Sequence, residues 1–135
     1  MLKRKITYIN FDGEEVTEDF YFNLNKAELT KILAHTKADD LETYIKQLSE
    51  NEDFDAISDL FEDIIKTSYG RKTEDGLFIK RKDEQEAFLS TDAYGNLFID
   101  LISNEGEAQA FAEKVIPQKG VNAPASVKKT TTKKK

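Results

Sequence analysis

The sequence predicts an α+β fold in which an N-terminal antiparallel β-hairpin packs on a mostly helical body of five to six helices. Apolar residues alternate along 2–24, which indicates two strands. Along 26–116 they recur at helical spacing. Residues 118–135 are rich in Gly, Pro, Ala, Ser, Thr and Lys, so we predict a disordered basic tail there. The hairpin and the helical body together are expected to form a single domain over 1–117.

The register of the hairpin is predicted from the positions of its apolar residues around Gly13. A two-residue loop of Asp12 and Gly13 would pair odd positions with even ones and place Lys5 opposite Phe20. A three-residue loop with Gly13 in a left-handed bulge position pairs even positions with even ones. We prefer this second loop, because one face then collects the apolar side chains of Leu2, Ile6, Tyr8, Val16, Phe20, Phe22 and Leu24.

The opposite face of the second strand carries Asp19, Tyr21 and Asn23. In the structural interpretation, Tyr21 packs against a Lys or Thr on the first strand. In the functional interpretation, this face is part of an exposed patch that binds a partner protein. Both interpretations stay open, and Tyr21, Asp19 and Asn23 are our candidate partner-binding residues.

Capping signals place the helices. Asn25 followed by Glu28 forms a capping box at the start of the first one. Asp39 or Asp40 is expected to cap the second helix, which runs to about Ser49. The predicted helices span 26–36, about 41–49, about 54–69, 84–90, 93–103 and 105–116.

The longest helix is predicted to begin after Asp53 and end near Tyr69, where Gly70 is its expected left-handed stop. The segment 71–76 is interpreted as a turn. Residues 77–79 form a short apolar run that fits either an isolated strand or a docked extended segment. The apolar stripe of the longest helix is expected to consist of Phe54, Ile57, Leu60, Phe61, Ile64 and Ile65.

Composition narrows the possible partners. The net charge of −6 combines an acidic body, with 14 basic and 26 acidic residues, and six lysines after residue 116. The acidic body is expected to repel nucleic acid, and the tail lysines, which have no aromatic neighbours, would bind it only weakly. The chain has no Cys and no apolar run of about 18 residues. We therefore expect no disulfide, no membrane span and, at the basic N-terminus, a strand instead of a secretory signal.

Catalytic and metal-binding patterns fail when they are examined one by one. His35, near two aspartates, could bind a metal, but a single imidazole at a helix end is better interpreted as a favourable charge there. A calcium loop counted from Asp53 would have Ser58 and Ile64 where Gly and Glu are required. No serine or threonine has a recognisable His partner. We expect no catalytic residues, no metal and no cofactor, and hence a non-enzymatic binding protein.

Several segments together carry a resemblance to a known family. The most telling is Phe-Tyr-Phe-Asn-Leu at 20–24, within the longer run 18–29. The others are Lys-Arg-Lys-Ile-Thr-Tyr at 3–8, Phe-Asp-Gly at 11–13, Ile-Lys-Thr-Ser-Tyr-Gly at 65–70, Asp-Gly-Leu-Phe-Ile-Lys at 75–80 and Ala-Tyr-Gly-Asn-Leu-Phe at 93–98. Over about residues 3–117 the chain resembles the tail assembly chaperones of long-tailed phages of Gram-positive bacteria.

The resemblance implies a function in the host cell cytoplasm. Such proteins hold the long tape measure protein before the tail tube polymerises, and are absent from the mature virion. The family further implies contact with the major tail protein and with a longer form of the chaperone made by ribosomal frameshifting. It supplies no catalytic residues. Self-association into a homo-oligomer is also open.

Two other functions stay open at this stage. One is a structural virion protein of the phage tail, a connector or completion subunit that uses the hairpin edge to add strands in a ring. The other is a small regulator whose acidic surface mimics nucleic acid. The regulator is disfavoured because the acidic residues are scattered over many helices. We favour the chaperone because of the resemblance, which an acidic body with an apolar-aromatic sheet and no catalytic constellation fits.

Overall fold

The computed structural model describes residues 1–36 and 38–117, and within them the α+β fold is confirmed. The predicted tail at 118–135 lies outside the described residues. The elements, in chain order, are β1 Leu2–Ile9, β2 Glu15–Phe22, α1 Lys26–Ala34, α2 Leu41–Glu50, α3 Phe54–Ser68, β3 Tyr69–Lys72, β4 Phe78–Ile79, α4 Lys82–Phe88, α5 Asp92–Ser103 and α6 Glu105–Val115.

The hairpin has the predicted register, in which even-numbered residues pair with even-numbered ones. Leu2 pairs with Phe22, and Tyr8 pairs with Val16. The Asn10 N–H donates to the Glu14 carbonyl at 2.9 Å and the Gly13 N–H donates to the Asn10 carbonyl at 3.0 Å. Gly13 has a φ of 80°, the left-handed conformation that the three-residue loop requires.

The hairpin is part of a larger sheet. Four antiparallel strands pair in the order β1-β2-β3-β4, with Tyr21 opposite Gly70 and Arg71 opposite Ile79. The expectation of a left-handed stop at Gly70 is wrong, since α3 ends at Ser68 and Gly70 is in a strand. A Cβ on Gly70 would lie 2.5 Å from Phe78 Cζ. This glycine therefore makes room for an aromatic ring and does not end a helix.

The segment after Gly70 also differs from the prediction of a turn over 71–76. Residues 71 and 72 are paired in β3. The turn is confined to the residues between Thr73 and Leu77, and the Thr73 N–H donates to the Leu77 carbonyl at 2.8 Å. Gly76 has a φ of 89° there. Residues 78 and 79 are neither isolated nor merely docked, because they form the edge strand β4.

The capping box of α1 is confirmed. Asn25 Oδ1 accepts from the Glu28 N–H at 2.8 Å, and Glu28 Oε1 accepts from the Asn25 N–H at 2.9 Å. The helix ends at Ala34, two residues earlier than predicted. Helix α4 begins at Lys82, before the predicted Glu84, and has no side-chain cap. The other side-chain N-caps are Asp40 for α2, Asp53 for α3, Thr91 for α5 and Asn104 for α6.

The core lies between the inner face of the sheet and the helices. Phe22, Phe61 and Phe111 are fully buried there, and the Phe22 and Phe111 rings meet edge to face at 5.4 Å. The Tyr69 and Phe88 rings stack at 4.3 Å. Strand β2 ends at Phe22, short of the predicted Leu24. The next two N–H groups instead bond to the ends of two helices, Asn23 to the Ser68 carbonyl and Leu24 to the Val115 carbonyl, each at 2.8 Å.

Candidate partner-binding surfaces

The outer face of the sheet contains the residues predicted to bind a partner. Tyr21 is half-buried opposite Lys3 and Gly70. Asp19 lies opposite Lys5, and its Oδ1 is 3.3 Å from Lys5 Nζ. Asp19 and Tyr21 line one shallow hollow on this face, whereas Asn23 lies beyond the end of β2 and is not among the lining residues. The structure therefore brings two of the three candidates together.

Strands β3 and β4 add residues to this face that the sequence did not indicate. Lys72 Nζ lies 6.0 Å from the centroid of the Tyr21 ring, and Lys80 Nζ lies 5.9 Å from that of Phe78. Both distances are within the range of cation–π contacts. The ring of Phe78 covers Gly70. We call Tyr21, Lys72 and Phe78 the outer sheet patch, an aromatic surface that carries positive charge on an acidic protein.

The free edge of β1 is only partly available for pairing. Asn96 on α5 donates its side-chain N–H to the Thr7 carbonyl at 3.0 Å. Lys3 and Lys5 are exposed along the same strand. Lysines and covered carbonyls are features that protect an edge strand from pairing with another chain. This geometry disfavours ring assembly through the hairpin edge.

An apolar groove opens on the opposite, helical side of the molecule. It has a volume of about 360 Å³ and lies between the α2–α3 and α5–α6 connections. Phe54 at its mouth is 64% exposed, although helical spacing places it in the apolar stripe of α3. The lining residues are Ile45, Ser49, Glu52, Phe54, Ile57, Phe61, Leu101, Ile102, Ser103, Glu105 and Ala108.

Glu52 at the groove has an unusual backbone conformation. Its φ is 54°, the left-handed region, and among the described residues it is the one non-glycine residue with a positive φ. The Asp53 N–H donates to the Leu48 carbonyl at 3.1 Å and the Glu52 N–H donates to the Ser49 carbonyl at 3.2 Å. These two bonds define a Schellman motif at the end of α2, in which Gly is the usual residue at the position of Glu52. No sequence signal indicated this site.

A second groove, with a volume of about 530 Å³, is lined mainly by charged residues of α1, α3 and α4. His35 lies at its edge, as the C-cap of α1. Lys80 Nζ lies 2.5 Å from Glu28 Oε1, which also closes the capping box of that helix. This groove therefore combines lysines with carboxylates that already neutralise part of their charge.

The shifted pKa values have ordinary structural causes, namely hydrogen bonds and burial. A hydrogen bond to Glu18 raises the pKa of Tyr8 to about 12, with O–O distance 2.5 Å. Burial raises the pKa of Tyr94 to about 12. No group of three potential metal ligands converges among residues 1–36 and 38–117. Within the same residues, no helix is both long and apolar enough to span a membrane.

The comparisons with known proteins identify the family. No curated protein and no solved structure matches the chain. The sequence model of a family described as phage tail assembly chaperone matches residues 1–135. A match over the full length of the chain includes the hairpin, the outer sheet patch, the apolar groove and the helical body. The chain belongs to the phage tail assembly chaperone family.

Proposed function

We propose that this chaperone binds the tape measure protein in the host cytoplasm and keeps it soluble until the tail tube assembles, without catalysis. The single observation that carries the proposal is the family match over residues 1–135. The exposed apolar groove and the outer sheet patch support it, because a chaperone needs accessible surface for its client. We extend the proposal to a Gram-positive host and to absence from the mature virion.

The client contact that we propose first is the outer sheet face, at Tyr21, Asp19 and Asn23. Tyr21 offers an aromatic ring that remains half-exposed beside Lys72. Tyrosine is enriched at protein interfaces because its ring is apolar and its hydroxyl is polar. Further proposed partners are the major tail protein and a frameshifted longer form of the chaperone.

Co-expression with the tape measure protein of the same phage tests the proposal. We expect more of the tape measure protein to remain soluble, and we expect the two proteins to co-purify. An unchanged soluble fraction without a complex would refute it. Mass spectrometry of purified phage particles then separates the chaperone from a structural tail protein, which would be present in stoichiometric amount.

A further inference from the structure

We propose that the apolar groove between the α2–α3 and α5–α6 connections binds an amphipathic helix of the client, with Lys or Arg beside its apolar side chains. The inference rests on the proposed chaperone function and adds a second contact to it, apart from the outer sheet patch. Three features of the groove support it, namely its shape, the sign of its charge and the conformation of Glu52.

The shape of the groove suits apolar side chains presented by a helix. Phe54, Ile57 and Phe61 stand at helical spacing on α3 and lead from the mouth of the groove to its floor. Phe54 is 64% exposed and Phe61 is fully buried. Leu101 and Ile102 on α5 form part of the lining. Grooves of this kind between helices take the apolar face of another helix.

The negative charge of the groove favours basic residues beside the apolar face of that helix. Glu52 in the α2–α3 connection and Glu105 at the start of α6 are both exposed and line the groove. None of the residues that line it is Lys or Arg. Two carboxylates with no basic residue in the lining favour a client segment with Lys or Arg next to its apolar residues.

The conformation of Glu52 indicates that its carboxylate has a use at this position. A left-handed conformation is unfavourable for a residue with a side chain and favours Gly. Glu52 nevertheless occupies the Schellman position at the end of α2. Residues that break a local rule in this way concentrate at functional sites. The retained charge lines the groove and is available to a basic client residue.

Two variants of the full chain test the inference against binding of co-expressed tape measure protein. Phe54→Ser is expected to weaken binding about tenfold, as loss of a central aromatic anchor does. Glu52→Gly is expected to raise the melting temperature by roughly 3–5 °C, because it relieves the left-handed strain. The same variant is expected to weaken binding about threefold or more at low salt, with the difference shrinking at high salt.

Phe11→Ser is the matched control. Phe11 is 84% exposed on the loop of the hairpin and does not line the groove. Its replacement removes a phenyl ring that is even more exposed than that of Phe54, and it should leave binding unchanged. A Glu52→Asn variant separates charge from backbone freedom, because Asn tolerates the left-handed region but carries no charge. It should weaken binding as Glu52→Gly does.

The outcomes distinguish this inference from the proposed function. If the wild-type chain binds and all three groove variants bind as tightly as Phe11→Ser, the groove inference is wrong and the chaperone function stands. If the wild-type chain does not bind the tape measure protein, the proposed function fails and the groove inference fails with it. Hydrogen exchange slowed around Phe54 only when the client is added supports the inference.

Two other occupants are tested by the same exchange measurement without client. Protection of the amides around Phe54 from hydrogen exchange that grows with chaperone concentration would assign the groove to a second copy of the chain. Protection that is independent of concentration, and is lost when Lys128, Lys129 and Lys133–Lys135 are replaced by Gln, would assign it to the tail of the chain. Either result would overturn the proposed client helix.

Discussion

Single residues decide how β3 and β4 join the sheet, and Gly70 is the clearest case. Gly70 Cα faces the tip of the Phe78 ring so closely that any side chain would collide with it. Gly95 in α5 has no atom within 4 Å of its potential Cβ. A side chain at position 70 therefore meets the Phe78 ring, whereas a side chain at position 95 has free space, although both glycines lie inside regular elements.

A pair of alanine substitutions tests this contrast. Gly70→Ala should displace the Phe78 ring and destabilise the protein by about 1–3 kcal/mol, the usual cost of overpacking. Gly95→Ala should stabilise it by about 0.5–1 kcal/mol, because Ala favours a helix. Denaturant unfolding measures both. Equal changes in the free energy of unfolding would show that the Phe78 ring can move away from residue 70 without cost.

The two faces of β2 also differ residue by residue. Phe22 is fully buried, so Phe22→Ala should cost about 3–5 kcal/mol of unfolding free energy. Phe20 is half-buried and should cost less. Tyr21→Ala should leave the fold intact and weaken client binding. Thermal unfolding and co-purification check the three variants. A Tyr21→Ala variant that unfolds beside a harmless Phe22→Ala would show that the faces are assigned in reverse.

At the scale of elements, polar contacts add to the stacking of Phe88 on Tyr69 in holding α4 against the end of α3 and against β3. Gln85 donates to the Thr67 and Tyr69 carbonyls at 3.2 and 3.0 Å. Arg71 donates to both carboxylate oxygens of Glu84 at 3.1 and 3.2 Å. The hydrogen bond from Arg71 holds the pKa of the Glu84 carboxyl below its usual range. The ion pair between Arg71 and Glu84 is therefore weakened by acid.

The sign of that sensitivity follows from the lowered pKa. A carboxyl whose pKa is lower in the folded state adds stability above its unfolded pKa and loses it as pH falls through the folded value. Glu84→Gln should therefore flatten the loss of stability between neutral and acid pH. Because the pair is exposed, the effect should be small and salt-dependent. Melting temperatures measured across that pH range, with Glu86→Gln as control, check it.

Elements governed by nearby residues could be predicted from the sequence. The loop at Gly13 and the capping box at Asn25 depend on signals a few positions apart, and both are confirmed. Strand β3 could not be predicted, because it depends on Tyr21 of a distant strand and on Phe78. The groove was missed for a related reason. Helical spacing places Phe54 in an apolar stripe, but only the packed helices show that most of its side chain stays exposed.

At the scale of the whole molecule, charge divides the sequence into an acidic body and a lysine-rich end. The terminal Lys133–Lys135 run has two interpretations. Its codons can form an A-rich slippery sequence for frameshifting, or its charges can contact an acidic partner. Synonymous recoding of these three codons should abolish any longer product if the RNA interpretation holds, which immunoblotting with an N-terminal tag checks.

Charge removal completes that test. Lys→Gln changes that preserve slippage should leave tail assembly nearly unaffected if the run records an RNA signal. If recoding changes nothing and the loss of charge blocks assembly, the lysines act as protein and frameshifting does not occur at this site.

The hydrogen bond from Leu24 to Val115 has a consequence for folding during synthesis. The hairpin leaves the ribosome before α6, whose Phe111 ring meets Phe22 on the inner face of the hairpin. Contacts this distant in sequence form late. The nascent chain must therefore carry an uncovered aromatic strand until α6 has been made. This member of a tail assembly chaperone family thus passes through an aggregation-prone stage itself during its own synthesis.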